Sequence, residues 1–266
     1  MKVKSDVLYK SFFISLIAFA IIAAIILGGL YFDRIAVDPT QRSSNILVGL
    51  TDGNDIISLT FIHCDPKNNS LSFLPIPDNT MLQDGRILQE FYSIARPSEL
   101  IRSLENLTGA VVNRYIFFTV DAMAELVDSL GKFEYLIRYP FTYNGNENSG
   151  NANMNGELAK AMFTYTGYDR SKVSMSHIAE AFIQSFLSKH GNASNINKMA
   201  DSIVKSASKY RVNTDLTDEE IYAYCSLFSS FSQFAKHSVA LEGETKTGSS
   251  NQYFVPDYTK NKNIFK

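Results

Sequence analysis

Few side chains in this 266-residue chain stand at spacings that carry chemistry on their own. His177 and Glu180 are separated by about one helical turn, so an imidazole and a carboxylate could share a face and begin a metal site. No third ligand accompanies them, and the plainer reading is a solvated helix face. Cys64 and Cys225 lie far apart and outside any CxxC or Cys/His metal spacing. They read as two buried free thiols, with a single disulfide as the alternative outside the cytoplasm. His63 sits in an apolar run and reads as a core histidine. Asn68-Asn69-Ser70, Asn106-Leu107-Thr108 and Asn192-Ala193-Ser194 match the glycosylation acceptor pattern. No GxSxG, P-loop or dinucleotide fingerprint is present. A formal net charge of −2 gives bulk electrostatics no reason to bind nucleic acid or an anionic membrane.

The elements that must position such side chains begin with an apolar segment. Residues 11–32 carry no charge, enough to cross a bilayer, which takes about 20 helical residues. Lys2, Lys4 and Lys10 precede it against Asp6 alone, while Asp33 and Arg34 follow and cancel. The positive-inside rule puts the N-terminus in the cytoplasm and the rest outside. The run exceeds the roughly 7–15 residues of a signal-peptide core and lacks a small-x-small cleavage site, so it reads as an uncleaved anchor. The expected division is therefore 1–10 cytoplasmic, 11–32 transmembrane, 33–44 linker, 45–258 extracytoplasmic domain and 259–266 tail.

Within the domain, residues 45–50, 56–63 and 71–76 read as strands, with turns at Asp52-Gly53 and Pro66-Lys67-Asn68-Asn69. Leu100, Ile101, Leu104 and Leu107 mark a helix over 97–107, ended by Gly109. A strand is expected over 111–120. Asp121 is expected to cap a helix that Gly131 closes. Residues 133–139 read as a strand and the Asn- and Gly-rich 143–155 as a loop. Helices are expected over 156–165, 174–189, 196–207 and 218–234, and short closing strands at 239–241 and 253–255. The acidic run Asp218-Glu219-Glu220 suits a helix N-terminus. The aromatics from Tyr222 to Phe234 read as core. This alternation predicts an α/β fold with a mixed central sheet flanked by helices, three-layer αβα in type, after one N-terminal transmembrane helix.

Several segments, in order, resemble the LytR–CpsA–Psr family of cell-envelope glycopolymer ligases. Asn45–Leu50 is similar to its opening "NILLLGxD", and Phe61-Ile-His-Cys-Asp-Pro-Lys67 to "LVHIDPK". Leu71–Thr80 resembles "LLSIPRDT", and Leu104–Tyr115 resembles "VENLLGIPIDHY". Phe118–Gly131, Met154–Ala159 and Tyr253–Asp257 are similar to "VDFEGFKKLVDALGG", "LNGEQAL" and "YYVPD". The resemblance runs from about Asn45 to Asp257. It implies transfer of a glycopolymer from a polyprenyl-pyrophosphate carrier, at a site of arginines, aspartates and a divalent metal. Guanidinium forks hold a pyrophosphate, metal and arginine offset the charge that develops, and an apolar tunnel takes the tail.

Carried over residue by residue, that site is altered. Asp52 stands at the "GxD" position, one step displaced. The "PRDT" arginine is Asp78 and its aspartate Asn79. Arg86 matches the lysine of "KxNxAYxxGG", with Leu88 at its asparagine. The arginines of "YxRxR" fall on Thr164 and Thr166, and "DxxRxxRQ" becomes the region from Asp169 to Glu180, where Asp169 and Arg170 retain usable chemistry. An aspartate in place of an arginine turns attraction for a pyrophosphate into repulsion.

The expected function is that of a membrane-anchored, extracytoplasmic protein of envelope assembly. It binds a polyprenyl-linked glycopolymer intermediate, or a wall-assembly protein partner, without catalysis. One alternative is an active phosphotransferase, with Arg86 and Arg170 as catalytic and phosphate-binding residues and Mg²⁺ held by Asp52, Asp78 and Asp169. The other is a protein-interaction module. No nucleic-acid partner is expected.

Overall fold

The structure, a computed structural model, describes residues 38–53, 55–91, 97–169, 173–248 and 252–265. The apolar segment 11–32 and Arg170 lie outside the described residues, and among these no helix is long and apolar enough to cross a membrane.

Period-two alternation in the strands sets the two faces of the main sheet. In β1 (Ser44–Asp52), Ile46 and Leu50 join one core and Leu47 the other. In β2 (Asp55–Asp65), Ile62 and Cys64 belong to the first core, and Leu59 and Phe61 to the second. β3 (Ser70–Ile76) divides Leu71 and Phe73 from Leu74 and Ile76 in the same way. With β4 (Arg114–Thr119), β7 (Val212–Thr214) and β8 (Ala235–Ser238), these form a six-stranded sheet in the order β7-β4-β1-β2-β3-β8. β1–β4 and β3–β8 are parallel, and the other pairings are antiparallel. The mixed sheet expected from the sequence is thus present.

Among the described residues, six longer helices cover the sheet. α1 (Pro97–Thr108) buries Leu100, Ile101, Leu104 and Leu107 in the second core. α2 (Val120–Leu130), α3 (Gly156–Thr164), α4 (Met175–His190), α5 (Ile196–Ala207) and α6 (Asp218–Phe228) bury their apolar faces in the first. Gly131 closes α2 with a φ of 102°, but the N-cap is Thr119, whose hydroxyl accepts from the Ala122 N–H. Asp121 instead occupies the first turn, where its charge suits the helix dipole.

Several expectations are corrected. The Asn-rich segment is mostly strand: β5 (Phe133–Tyr143) and β6 (Asn146–Met154) form a hairpin. Its turn is Asn144-Gly145, both at positive φ (50° and 76°), the two-residue connection that matches strand twist. The helix from Asp218 ends at Phe228 rather than Phe234. A short 3₁₀ turn then keeps Phe231 in the core, and the chain enters β8 at Ala235, ahead of the expected 239–241. The C-terminal strand is β10 (Gln252–Pro256), paired with β9 (Gly243–Thr247). After β10, a single helical turn, α7 (Tyr258–Asn261), buries Asn261 completely. Phe265 lies against Phe61 and stacks on His63 at 5.3 Å. Residues 259–265, set apart by sequence as a tail, therefore lie against the second core.

Candidate functional site

β1, β3 and β4 all end at one edge of the sheet, as their registers require. In open α/β sheets the carboxyl ends of the strands are where loops can build a ligand site. Asp52, the last residue of β1, is exposed and pairs across the turn with Asp55. Its charge acts on Lys160 of α3, which binds Asp121 at the start of α2 at 2.6 Å. Close by, Arg211 binds Glu125 at 2.5 Å and also acts on Asp121. Hydrogen bonds to these acids hold Lys160 and Arg211 above their usual pKa values, so both stay fully charged. The sequence offered no signal for this group, because its members come from four separate segments.

Asp78 is half-buried two residues past β3, and its carbonyl accepts from the Gln89 N–H at 3.1 Å. The turn that follows is tied to β10. The Phe254 N–H donates to the Asn79 carbonyl at 3.0 Å, and the Met81 N–H donates to the Phe254 carbonyl at 2.7 Å. Arg86 directs Nε and Nη2 onto one oxygen of Asp84, at 2.9 and 2.6 Å. Leu82 and Leu88, which bracket Arg86, pack in the second core. Asp169 is exposed, and its carbonyl accepts from the Val173 N–H. Among the described residues, no three Asp, Glu, His or Cys side chains gather closely enough to hold a cation. Among the described residues, Asp52, Asp78 and Asp169 are thus not gathered into one cluster of three ligands. Thr164 donates its hydroxyl to the Lys160 carbonyl and shares with Thr166 and Lys160 a recess of about 470 Å³.

The first turn of α4 is pinned to this edge. The Ser176 hydroxyl donates to the Ile76 carbonyl at 2.5 Å and accepts from the Leu59 N–H at 3.1 Å. Beneath it, between the sheet and helices α2, α4, α5 and α6, lies an apolar cavity of about 100 Å³. Val48, Met123, Phe182 and Ile183 line it and also a separate recess of about 10 Å³ bordered by Leu50 and Ser58. Cys225 lines the cavity, while Cys64 is fully buried in the same core. Both thiols are free, and burial pushes each up to about 12.

Two histidine readings now resolve. His63 is half-buried, with Nδ1 at 2.7 Å from the Asn45 side-chain oxygen, as a core histidine should be. The His177–Glu180 face is not solvated throughout. His177 is exposed, but Glu180 is only 6 % exposed, and burial raises its carboxyl pKa.

The LytR_cpsA_psr family model matches residues 39–266, and the chain belongs to that family. It is 23 % identical over 220 residues to the polyisoprenyl-teichoic acid–peptidoglycan teichoic acid transferase TagV of Bacillus subtilis. That match covers 76 % of this chain and 56 % of TagV, so the chain spans little more than half of that relative's length. TagU of Bacillus anthracis, a transferase of the same description, is also 23 % identical, over 76 % of this chain and 69 % of its own. In fold, the crystal structure of B. subtilis TagV superposes with a TM-score of 0.70 at 20 % identity, over 84 % of this chain and 94 % of that one. The structure of TagT bound to LI-WTA gives 0.64 at 15 % identity, over 87 % and 92 %.

Proposed function

We propose that this protein is a single-pass membrane protein, with its N-terminus cytoplasmic and its family domain outside, that holds a polyprenyl-linked glycopolymer without transferring it. The observation that carries this reading is the pairing of an apolar cavity with an acid-balanced edge. The cavity shares four wall residues with a small recess bordered by Leu50 and Ser58, near the end of β1. At that edge Lys160 and Arg211 are already engaged by Asp121 and Glu125, and Arg86 by Asp84. Catalysis of phosphoryl transfer rests on positive charge preorganised for the transition state. Cations held by neighbouring carboxylates offer less of it. An apolar cavity near 150 Å³ admits a benzene-sized guest, so one of about 100 Å³ accepts a prenyl tail only as α4, α5 and α6 separate.

The test is equilibrium binding of a polyprenyl pyrophosphate to the full chain in detergent, with and without Mg²⁺, followed by a transfer assay on the same sample. The expected result is metal-independent binding that the bare polyprenol shares, with no transfer. Transfer to a peptidoglycan acceptor would overturn the noncatalytic reading. Failure of either lipid to bind would overturn the lipid reading and leave a protein-interaction module.

A further inference from the structure

The chain contains two Asn-Gly steps, Asn144-Gly145 and Asn155-Gly156. Such a step can modify itself, because the backbone nitrogen of the glycine can close a ring on the asparagine side-chain carbonyl. Glycine has no Cβ to shield that nitrogen. The two steps are alike in sequence and opposite in surroundings. Asn155 caps α3, and its side-chain oxygen accepts from the Leu158 N–H at 2.8 Å. The Gly156 N–H, whose nitrogen would have to attack, donates to the Asp128 carboxylate at 2.7 Å. Gly156 is buried, and a Cβ added there would collide with the Ala124 carbonyl and the Asp128 carboxylate. Carbonyl and nitrogen cannot turn toward each other without giving up the start of the helix.

Asn144-Gly145 is the tip of the β5–β6 hairpin, between the paired residues Tyr143 and Asn146. Asn144, Gly145 and Asn146 are all exposed, and nothing lies within 4 Å of a Cβ built at Gly145. Both tip residues hold positive φ, a turn that favours Asn-Gly over most other pairs. The residues that close the hairpin therefore place the reactive pair in water. Opening an exposed turn of this kind costs little compared with unfolding a core element.

We propose that Asn144 is a self-modifying site, which deamidates spontaneously in the folded protein while Asn155 does not. Hydroxide takes the Gly145 N–H proton, and the nitrogen attacks the Asn144 side-chain carbonyl carbon. A C–N bond forms to Gly145, the bond to the side-chain nitrogen breaks, and that nitrogen takes a proton from water and leaves as ammonia. The cyclic imide then takes up a water molecule. Opening at one carbonyl gives aspartate, and at the other isoaspartate, in which the main chain runs through the side chain. The balance is water in and ammonia out, with nothing oxidised or reduced. The new carboxylate arises beside the Tyr143 hydroxyl, which donates to Glu157 of α3 and on which the Asn144 side chain already acts. Repulsion from Glu157 loosens that link and makes the recess shared by Tyr143, Glu157 and Lys160 more acidic. None of this depends on lipid binding, so either proposal can fail without the other.

The test is incubation of the full chain in detergent in mildly alkaline heavy-oxygen water, followed by ammonia release and peptide mapping. A urea-unfolded sample runs beside it. Expected in the folded chain is heavy oxygen at residue 144, as aspartate and isoaspartate, with Asn155 intact. The net charge should become one unit more negative than −2. The unfolded chain should convert at both steps, which shows that the fold protects Asn155. Asn144→Asp carries the product's charge from the start, and its folded form should lose the ammonia release of the parent. The proposal is overturned if the folded chain keeps Asn144 intact, if residues 144 and 155 convert equally in it, or if folded Asn144→Asp releases ammonia as the parent does.

Discussion

At the scale of single residues, Glu180 carries the most information. Its raised pKa means that the folded protein binds the proton more tightly than the unfolded chain does. Stability from this group is therefore greatest below the unfolded value near 4.5 and falls as pH rises through the higher folded value. At neutral pH burial of this carboxyl costs stability, and Glu180→Gln should raise the melting temperature there. The gain should vanish near pH 4. A melting temperature that falls at neutral pH would contradict this sign. His177 and Glu180 could be singled out from spacing alone, but their environment could not. Which helix face meets solvent depends on where the β5–β6 hairpin and β8 come to lie.

At the scale of elements, the β5–β6 hairpin departs furthest from the expected loop. Six asparagines between 144 and 155 suggest a loop, since asparagine is poor in strands. Yet inward-facing Phe133, Tyr135, Ile137 and Phe141 bury in the first core, and Asn144-Gly145 closes the pair. The signal was therefore in the sequence, as an Asn-Gly step flanking an alternating run. Gly145→Val forces a branched side chain to a φ of 76°, at a cost of about 1–2 kcal/mol. For a domain of this size the melting temperature should drop by roughly 2–8 °C. An unchanged melt would mean that the turn does not hold the hairpin. Elsewhere, Arg114 of β4 and Glu220 of α6 meet at 2.6 Å, each little exposed. Burial alone would raise Glu220, but the Arg114 guanidinium and the Thr217 N–H leave it below its usual value. The acidic run at 218–220 thus serves a capping box as well as the helix dipole.

At the scale of the whole molecule, two cores share one sheet, and the C-terminus helps close the second. Asn261 is fully buried, with its side-chain amide donating to the Glu242 and Asp257 carbonyls. The Asn263 N–H bonds the Thr108 carbonyl, and Phe265 covers Phe61. Removing residues 259–266 should uncover that apolar surface at a cost of about 3 kcal/mol or more. The melting temperature should fall by roughly 6–12 °C, and a truncated chain that melts like the parent would show the tail to be dispensable. The short polar sequence Thr259–Asn263 gives little periodic signal, because its burial comes from hydrogen bonds to Glu242 and Asp257 and from packing near α1, not from an apolar stripe of its own.

The sequence by itself determined the family, the mixed αβ layering and most element positions. These follow from local alternation, helical spacing and the order of short motifs, all of which are written along the chain. Only the tertiary structure decided that Lys160, Asp121, Arg211 and Glu125 meet near Asp52, that an apolar cavity lies between the sheet and its helices, and that Glu180 is buried. Each of these depends on segments distant in sequence arriving at one place, and burial and charge pairing exist only once they have done so.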